Sequence, residues 1–164
     1  MHDSAAEDFK RFVAKYLDPA VPLRIADIGS CDVNGTLRAL LPENHAWTYT
    51  GFDLQAGPNV DVVLRTETEW SRQIGDRFDV VASTQTVEHV RRPWAWIRDV
   101  ARLAKPGGLV YVSTPNTIEF HPFPIDCWRV WPDGMRSLLR EASLEVLECY
   151  AEGIDTTGIG RKKR

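Results

Sequence analysis

The sequence predicts an α/β protein with a three-layer, doubly wound and mostly parallel sheet. Apolar or β-branched runs alternate along the chain with segments of helical periodicity, which is typical of parallel strands joined by crossover helices. Several of these runs are too apolar to have a solvent-exposed face, so we expect helices on both sides of the sheet. The chain has 164 residues, of which 43% are hydrophobic. This size fits one domain over residues 1–164.

The first half of the chain begins with a predicted helix. Apolar side chains recur at helical spacing over residues 4–17, and Pro19 and Pro22 follow as helix breakers. Strands are predicted where the next runs are apolar, aromatic or β-branched, at residues 23–28, 47–53 and 60–64. Two short helices are predicted between the strands, at residues 36–41 and 67–74.

The second half continues the alternation of strands and helices. Strands are predicted at residues 78–83, 109–114 and 144–150, and helices at residues 93–104 and 132–142. The turn sequence KPGG at residues 105–108 is expected to end the first of these helices. Residues 115–132 form the longest stretch without a predicted element, and their four prolines and several aromatic side chains favour an ordered, functional loop.

Charge and composition exclude several classes of partner. The net charge is −3 and the isoelectric point is about 5.8, so no general positive field attracts nucleic acid or anionic membrane. The basic residues 161–164 are interpreted as a solvated tail. No apolar run approaches the length of a membrane span, and the acidic N-terminus does not resemble a signal peptide. Three widely spaced cysteines predict neither disulfides nor a metal site, and they fit a cytoplasmic location.

The loop that follows the first strand indicates the ligand. In the sequence RIADIGSCDVNG, Gly29 opens the turn, but the middle glycine of a dinucleotide-binding loop is missing. Asp27 and Asp32 flank the position where a phosphate would lie, and their charges disfavour an anion and suit a cation. Asp53 ends the second strand, where a carboxylate can bind ribose hydroxyls. The ligand implied is a nucleoside with a cationic, phosphate-free arm, and S-adenosyl-L-methionine fits that description.

These segments together resemble the class I S-adenosylmethionine-dependent methyltransferases, and the resemblance covers nearly the whole chain. The type 11 group is the most similar, in a subset with the loop D-x-G-S-x-D-V-N-G. The resemblance implies a Rossmann-like methyltransferase fold. It also implies that the methionyl part of the cofactor contacts Asp27, Gly29, Ser30, Thr84 and Gln85, and that ribose and adenine contact Asp53 and Leu54. Residues 78–90 and 103–116 match further motifs of the family.

Structural roles remain open for three of these positions. Asp27 could hydrogen-bond its own loop, and Asp53 could be an ordinary residue at the end of a strand. Gly35 is included among the cofactor-binding residues, although it could serve only to admit close helix packing. The pairing of Asp53 with the Gly29 loop favours the binding role.

Candidate catalytic residues follow the fourth and fifth strands. Transfer to a hydroxyl requires removal of a proton, which a histidine or a carboxylate can accept. His89, His121 and Asp126 are the candidates, and no metal is predicted. His89 could instead cap the following helix, and Asp126 could form a structural ion pair with Arg129.

The predicted function is methyl transfer from S-adenosylmethionine to a small hydroxylated acceptor, such as a sugar or a secondary metabolite. Stacking on a sugar by Phe123, Trp128 or Trp131 is one interpretation of the loop aromatics, and packing is the other. A non-catalytic module with the same fold is the main alternative. A nicotinamide oxidoreductase is disfavoured by the missing glycine and by Asp27.

One departure from the class I pattern concerns the C-terminus. The class I sheet normally ends with a seventh, antiparallel strand, and residues 151–164 do not suggest one. We therefore expect that this strand is missing or is supplied by a partner. An exposed sheet edge at that place would favour a homodimer.

Overall fold

The computed structural model describes residues 3–164, and a single mixed sheet forms its centre. The strands are β1 (Leu23–Ile28), β2 (Trp47–Asp53), β3 (Val62–Val63), β4 (Phe78–Thr84), β5 (Ala104–Pro115), β6 (Leu144–Glu152) and β7 (Asp155–Lys162). Their spatial order is β3-β2-β1-β4-β5-β7-β6. Strands β1 to β5 are parallel, and β7 runs antiparallel to both of its neighbours. The predicted doubly wound, mostly parallel sheet is confirmed.

Four α-helices accompany this sheet in the described part of the chain. They are α1 (Asp3–Tyr16), α2 (Trp70–Ile74), α3 (Pro93–Leu103) and α4 (Pro132–Glu141), and two 3₁₀ turns span Arg38–Leu40 and Val87–His89. The predicted helices at residues 4–17, 93–104 and 132–142 are confirmed to within a residue at each end. Proline at the first position of α3 and of α4 fixes where these helices begin.

Three of the predicted elements are shorter in the structure than the sequence suggested. The segment at residues 36–41 contains only a 3₁₀ turn, because six residues between a loop and Pro42 are too few to stabilise an α-helix. The helix predicted at residues 67–74 begins only at Trp70. The strand predicted at residues 60–64 reduces to β3, whose two residues pair with Phe52 and Asp53 at the edge of the sheet.

Two apolar clusters cover the two faces of the sheet. On one face, Phe9 and Phe12 of α1 pack against Tyr111 of β5, with ring centroids 5.3 and 4.9 Å from the tyrosine. On the other face, α3 and α4 bury a larger cluster that includes Ile97 and Met135. Helices on both sides give the expected three layers.

The prediction that the last antiparallel strand is missing was wrong. Strand β7 lies between β5 and β6, and its first six residues are buried. The strand was overlooked because its glycines give it little β-propensity. They are required by packing, since a Cβ at Gly158 would lie 2.4 Å from Cγ of Met135. The basic segment predicted as a solvated tail begins with Arg161 and Lys162, which belong to this strand.

The position of β7 has two consequences for the other expectations. Strand β7 pairs with the edge of β5 that a missing strand would have left open, and β6 forms the outer edge of the sheet. The KPGG segment does follow the end of α3, but it forms the start of β5 and not a separate turn, with a shift in the pairing to β4. Within residues 3–164, no helix combines the length and the apolar composition required to cross a membrane.

Candidate functional site

A cavity of about 510 Å³ lies beyond the carboxyl ends of β1, β2 and β4. The predicted cofactor-binding residues from the loop after β1 line it, namely Asp27, Gly29, Ser30 and Gly35. The predicted residues at the ends of β2 and β4 line it as well, namely Asp53, Leu54, Thr84 and Gln85. The same cavity reaches His89 and His121. The fold therefore brings together residues that are up to 94 positions apart in the sequence.

The turn at Gly29 is determined by the close approach of the loop after β4. Gly29 has φ of +80°, and a Cβ there would lie 2.2 Å from Oγ1 of Thr86. The N–H groups of Gly29 and Ser30 both donate to the carbonyl of Phe52, at 2.9 and 3.1 Å. Ser30 is buried, and its hydroxyl lies 3.4 Å from the carbonyl of Asn59. Only glycine fits this turn without strain.

Asp27 presents one unpaired carboxylate oxygen in a buried position. The residue is 3% exposed, and the hydroxyl of Tyr49 donates to its Oδ2 atom. Oδ1 is buried and has no hydrogen-bond partner among residues 3–164. Burial raises the pKa of Asp27 to about 7. A cationic group in the cavity would both pair with Oδ1 and stabilise the charged form.

Asp53 is held by backbone donors at the end of β2. Its Oδ2 accepts from the N–H of Cys31 at 3.0 Å, and its Oδ1 accepts from the N–H of Gln55 at 3.1 Å. A carboxylate has about four acceptor sites, so both oxygens can still accept from a ligand hydroxyl. The structural role and the predicted binding role are therefore compatible.

Gln85 is fixed by a strand that the sequence did not predict. It adopts φ of +53°, and its Nε2 donates to Oδ1 of Asp155 in β7 at 2.9 Å. The hydroxyl of Ser4 in α1 donates to the other oxygen of Asp155. Gln85 thus connects the cavity wall to β7 and to α1, while Thr84 lines the cavity beside it.

His89 lies in the wall of the cavity with one ring nitrogen engaged. Its Nδ1 is 2.5 Å from the carbonyl oxygen of Ile125, and partial burial lowers the pKa of the imidazole. Because a neutral ring must donate from Nδ1 to make this bond, Nε2 carries the lone pair. The alternative that His89 caps the following helix is not supported, since the N-cap of α3 is Arg92 and it makes no side-chain capping bond.

Asp126 forms an ion pair, and it is not among the described residues that line the cavity. Its oxygens accept from Nη1 and Nη2 of Arg129 at 2.6 and 2.8 Å, and from the N–H of His121 at 2.7 Å. The guanidinium of Arg129 holds the pKa of Asp126 well below its usual range. Asp126 thus forms the ion pair with Arg129 that the sequence left open as its alternative role, and a catalytic Asp126 stays a prediction.

The aromatic side chains of the long loop have different surroundings. Trp128 donates from Nε1 to the carbonyl of Val90 at 2.7 Å and packs edge-on against Trp94. Trp131 is 54% exposed and directly precedes α4. It is not among the described residues that line the cavity. Only Phe123 of the three predicted stacking residues faces the cavity.

Sequence reasoning missed three residues of this site. Tyr49 orients Asp27, Thr86 packs against Gly29, and Glu88 contributes a buried carboxylate to the cavity wall. Oε2 of Glu88 accepts from the hydroxyl of Thr114 at 2.9 Å, and burial raises the pKa of the side chain to about 7. A signal was available for Glu88, because an acidic residue beside His89 at the end of an apolar strand is expected at a site.

Comparison with known proteins decides the family. A family model described as a methyltransferase domain matches residues 1–148. The chain belongs to the methyltransferase-domain family. The nicotinamide oxidoreductase alternative is thereby excluded, and the class I methyltransferase fold that the sequence resembled is confirmed, although the type 11 subgroup remains a prediction. S-adenosylmethionine is the cofactor of the class I enzymes.

Curated relatives of the methyltransferase domain are similar over part of their length. The ubiquinone biosynthesis O-methyltransferase of Parvibaculum lavamentivorans is 38% identical over 37% of this chain and 24% of its own length. The enzyme of the same name from Ruegeria pomeroyi is 32% identical over 57% of this chain and 44% of its own. The chain therefore spans less than half the length of these relatives.

Solved structures share the fold over almost the whole methyltransferase domain. The N-terminal domain of EvdMO1, crystallised in the presence of S-adenosylhomocysteine and D-fucose, has a TM-score of 0.64 at 21% identity and covers 99% of this chain and 84% of that one. The 1,6-didemethyltoxoflavin-N1-methyltransferase of Burkholderia thailandensis has a TM-score of 0.71 at 17% identity. The match covers 99% of this chain and 80% of that one. At such low sequence identities, the similarity shows that the fold is shared.

Proposed function

We propose that this methyltransferase domain transfers a methyl group from S-adenosylmethionine to a hydroxyl of a small acceptor. One observation carries the proposal. A single cavity joins the buried, unpaired oxygen of Asp27 to the imidazoles of His89 and His121. One part of the cavity thus suits a cationic nucleoside, and another offers groups that can accept a proton.

The residues of the cavity fit the cofactor. Asp27 can accept a hydrogen bond from the ammonium group of the cofactor, and Gly29 lines the cavity where the methionyl arm would lie. Asp53 can accept from the ribose hydroxyls, with Leu54 beside the adenine. The remaining predicted contacts are Ser30, Gly35, Thr84 and Gln85. When bound, the cofactor supplies an electrophilic methyl group on a sulfonium.

His89 is the candidate that accepts the proton of the acceptor hydroxyl. Its lowered pKa keeps the ring neutral near pH 7, and Nε2 holds the lone pair. His121 lies beside it, with ring centroids 5.2 Å apart in an edge-to-face arrangement. Phe123 and Pro124 line the same part of the cavity, and they would exclude water around the reacting groups.

The acceptor class is inferred from the cavity and from the names of the relatives. Two curated relatives are named as O-methyltransferases of ubiquinone biosynthesis. One structural neighbour was crystallised with D-fucose and another with 1,6-didemethyltoxoflavin. These names support a small-molecule acceptor, and a hydroxylated sugar or secondary metabolite is our proposal. A cytoplasmic location, the absence of nucleic-acid partners and a homodimer stay predictions.

Calorimetric titration with S-adenosylmethionine, S-adenosylhomocysteine and NAD tests the proposal. We expect micromolar binding of both adenosyl ligands, no binding of NAD, and at least tenfold weaker binding by the Asp53→Ala variant. An acceptor screen with hydroxylated sugars and phenols would then follow the formation of S-adenosylhomocysteine. A folded chain that binds no adenosyl ligand would overturn the proposal and favour the non-catalytic module.

A further inference from the structure

Three potential metal ligands converge in the wall of the cavity. Glu88, His89 and His121 each offer one ligand atom, and these atoms lie within 4.8 Å of one another. Nε2 of His89 is 3.7 Å from Oε1 of Glu88. Ligand atoms bound at about 2.1 Å to one metal ion are separated by about 3–3.5 Å. Binding of an ion would therefore draw the three ligand atoms closer together.

Glu88 supplies an observation that is independent of this convergence. The residue is fully buried, and its Oε1 atom has no hydrogen-bond partner in the part of the chain that the structure describes. The other oxygen, Oε2, is held by the hydroxyl of Thr114. A buried carboxylate oxygen without a donor is costly, and it indicates a missing positive partner on the cavity side.

Both imidazoles are oriented as metal-binding histidines usually are. Nδ1 of His89 lies 2.5 Å from the carbonyl of Ile125, and Nδ1 of His121 lies 2.8 Å from the carbonyl of Glu119. Each ring can donate from Nδ1 to a backbone oxygen, which leaves the lone pair on Nε2. A carbonyl bonded to the second nitrogen fixes both the tautomer and the ring plane of such ligands.

We propose that Glu88, His89 and His121 bind a first-row divalent transition cation in the cavity wall. One carboxylate and two imidazoles suit Zn²⁺, Mn²⁺ or Fe²⁺, and three protein ligands leave positions open for a substrate oxygen. The prediction from the sequence was that no metal binds, because the three cysteines lack metal-ligand spacing. His89 and His121 are 32 residues apart in the chain.

The charges around the three residues are compatible with a cation. Arg129 lies 3.3 Å from Nδ1 of His121. Its charge is neutralised by Asp126, which accepts two hydrogen bonds from the guanidinium. The group formed by Glu88, His89, His121, Asp126 and Arg129 therefore carries a net negative charge when Glu88 is ionised.

The role of the cation rests on the proposed function. A divalent cation that binds the acceptor hydroxyl would lower the pKa of that hydroxyl. The hydroxyl proton would pass to a water molecule, and the oxygen would stay bound to the metal as an alkoxide ready to accept the methyl group. Coordination uses the lone pair on Nε2 of His89, so the metal would replace this histidine as the activating group.

Titration of the chelator-treated full chain with Co²⁺ and Zn²⁺ tests the site directly. Visible absorption follows Co²⁺, and calorimetry follows Zn²⁺. We expect about one ion per chain, with at least tenfold weaker binding by Glu88→Gln and by His121→Ala. The matched control is His45→Ala, which removes an imidazole from the loop before β2 and should change the affinity less than twofold. Circular dichroism and binding of S-adenosylhomocysteine confirm that each variant is folded.

Two results would overturn the metal site. The first is a folded chain that binds S-adenosylhomocysteine but no metal ion, which would leave the proposed function intact with His89 as the base. The second is metal binding that is unchanged in both variants or is lost in His45→Ala. If the folded wild-type chain binds the metal ion but no adenosyl ligand, the proposed function alone is overturned.

Discussion

The hydroxyl of Tyr49 donates a hydrogen bond to Oδ2 of Asp27, and Nδ2 of Asn59 donates in turn to the tyrosine oxygen at 3.1 Å. This pair joins the end of β1 to the neighbouring strand β2. It fixes the direction of the buried carboxylate, so that Oδ1 remains the atom available to a ligand. The orientation of the predicted cofactor-binding acid therefore depends on a residue of the next strand.

Removal of this hydroxyl should weaken cofactor binding. We expect the Tyr49→Phe variant to bind S-adenosylhomocysteine about tenfold more weakly, because the carboxylate loses a buried donor and its fixed direction. Calorimetry measures the affinity. The control is Tyr16→Phe, which removes a hydroxyl bonded to Glu148 outside the cavity lining. Equal affinity of Tyr49→Phe and the wild type would contradict the positioning role.

Asp27 should make stability depend on pH. Its pKa is about 7 in the folded chain and near 3.8 when unfolded. Below pH 4 both states are protonated. Between pH 4 and 7 only the unfolded state loses its proton, so stability falls as the pH rises, and the cost levels off above pH 7. The upper bound of this cost is about 4 kcal/mol.

The Asp27→Asn variant tests this assignment. It should be more stable than the wild type at pH 8 by a larger margin than at pH 5, and it should bind the adenosyl ligand at least tenfold more weakly. Thermal unfolding at the two pH values gives the comparison. Asp133→Asn, at an exposed carboxylate in α4, serves as the control. A margin that is the same at both pH values would refute the raised pKa.

The turn at Gly29 should tolerate no side chain. The Gly29→Ala variant combines a left-handed backbone with a clash against Thr86, and we expect a loss of about 3 kcal/mol in the free energy of unfolding. Gly75→Ala has a similar φ, but no atom lies within 4 Å of the new Cβ, so the loss should be about 1 kcal/mol. Denaturant titration of the two variants separates the cost of the left-handed backbone from the cost of the clash. If the added change Thr86→Ala does not recover part of the loss, the clash is not its cause.

The ion pair of Asp126 and Arg129 should hold the long loop in place. Arg129 also donates to the carbonyls of Ile118 and Glu119, which a lysine cannot do with the same fork of donors. We expect Arg129→Lys to accelerate chymotrypsin cleavage at the aromatic residues of the loop, with little effect on adenosyl affinity. Arg136→Lys, at an exposed pair in α4, is the control. An unchanged cleavage rate would argue that other contacts hold the loop.

The sequence was sufficient for the elements whose signal is local. Parallel strands such as β4 are largely buried and apolar, and α3 has a clear apolar stripe. The loop at Gly29 and the acid at Asp53 could be recognised because their spacing follows from the topology of the fold. Contacts that depend on register or on distant packing could not be predicted. Tyr49 reaches Asp27 only because β1 and β2 pair with Asp27 opposite Gly51.

Strand β7 shows why a local signal can mislead. Its glycines at positions 158 and 160 reduce its β-propensity, yet they allow Met135 and Leu144 to pack closely against the strand. The convergence of Glu88 with His121 could not be predicted either, because it depends on how the long loop folds back over β4. The backbone of that loop is anchored there by the N–H of Cys127, which donates to the carbonyl of Glu88 at 2.7 Å.

The order of β6 and β7 also constrains how the chain can assemble during synthesis. In space, β7 separates β6 from β5, but along the chain it is made after β6. Until β7 leaves the ribosome, β6 has no strand with which to pair, and the edge of β5 stays open. The two strands must therefore join the growing sheet together as a hairpin. Strand β7 closes a sheet whose other strands are already available, and Gln85 acquires its partner Asp155 only at that moment.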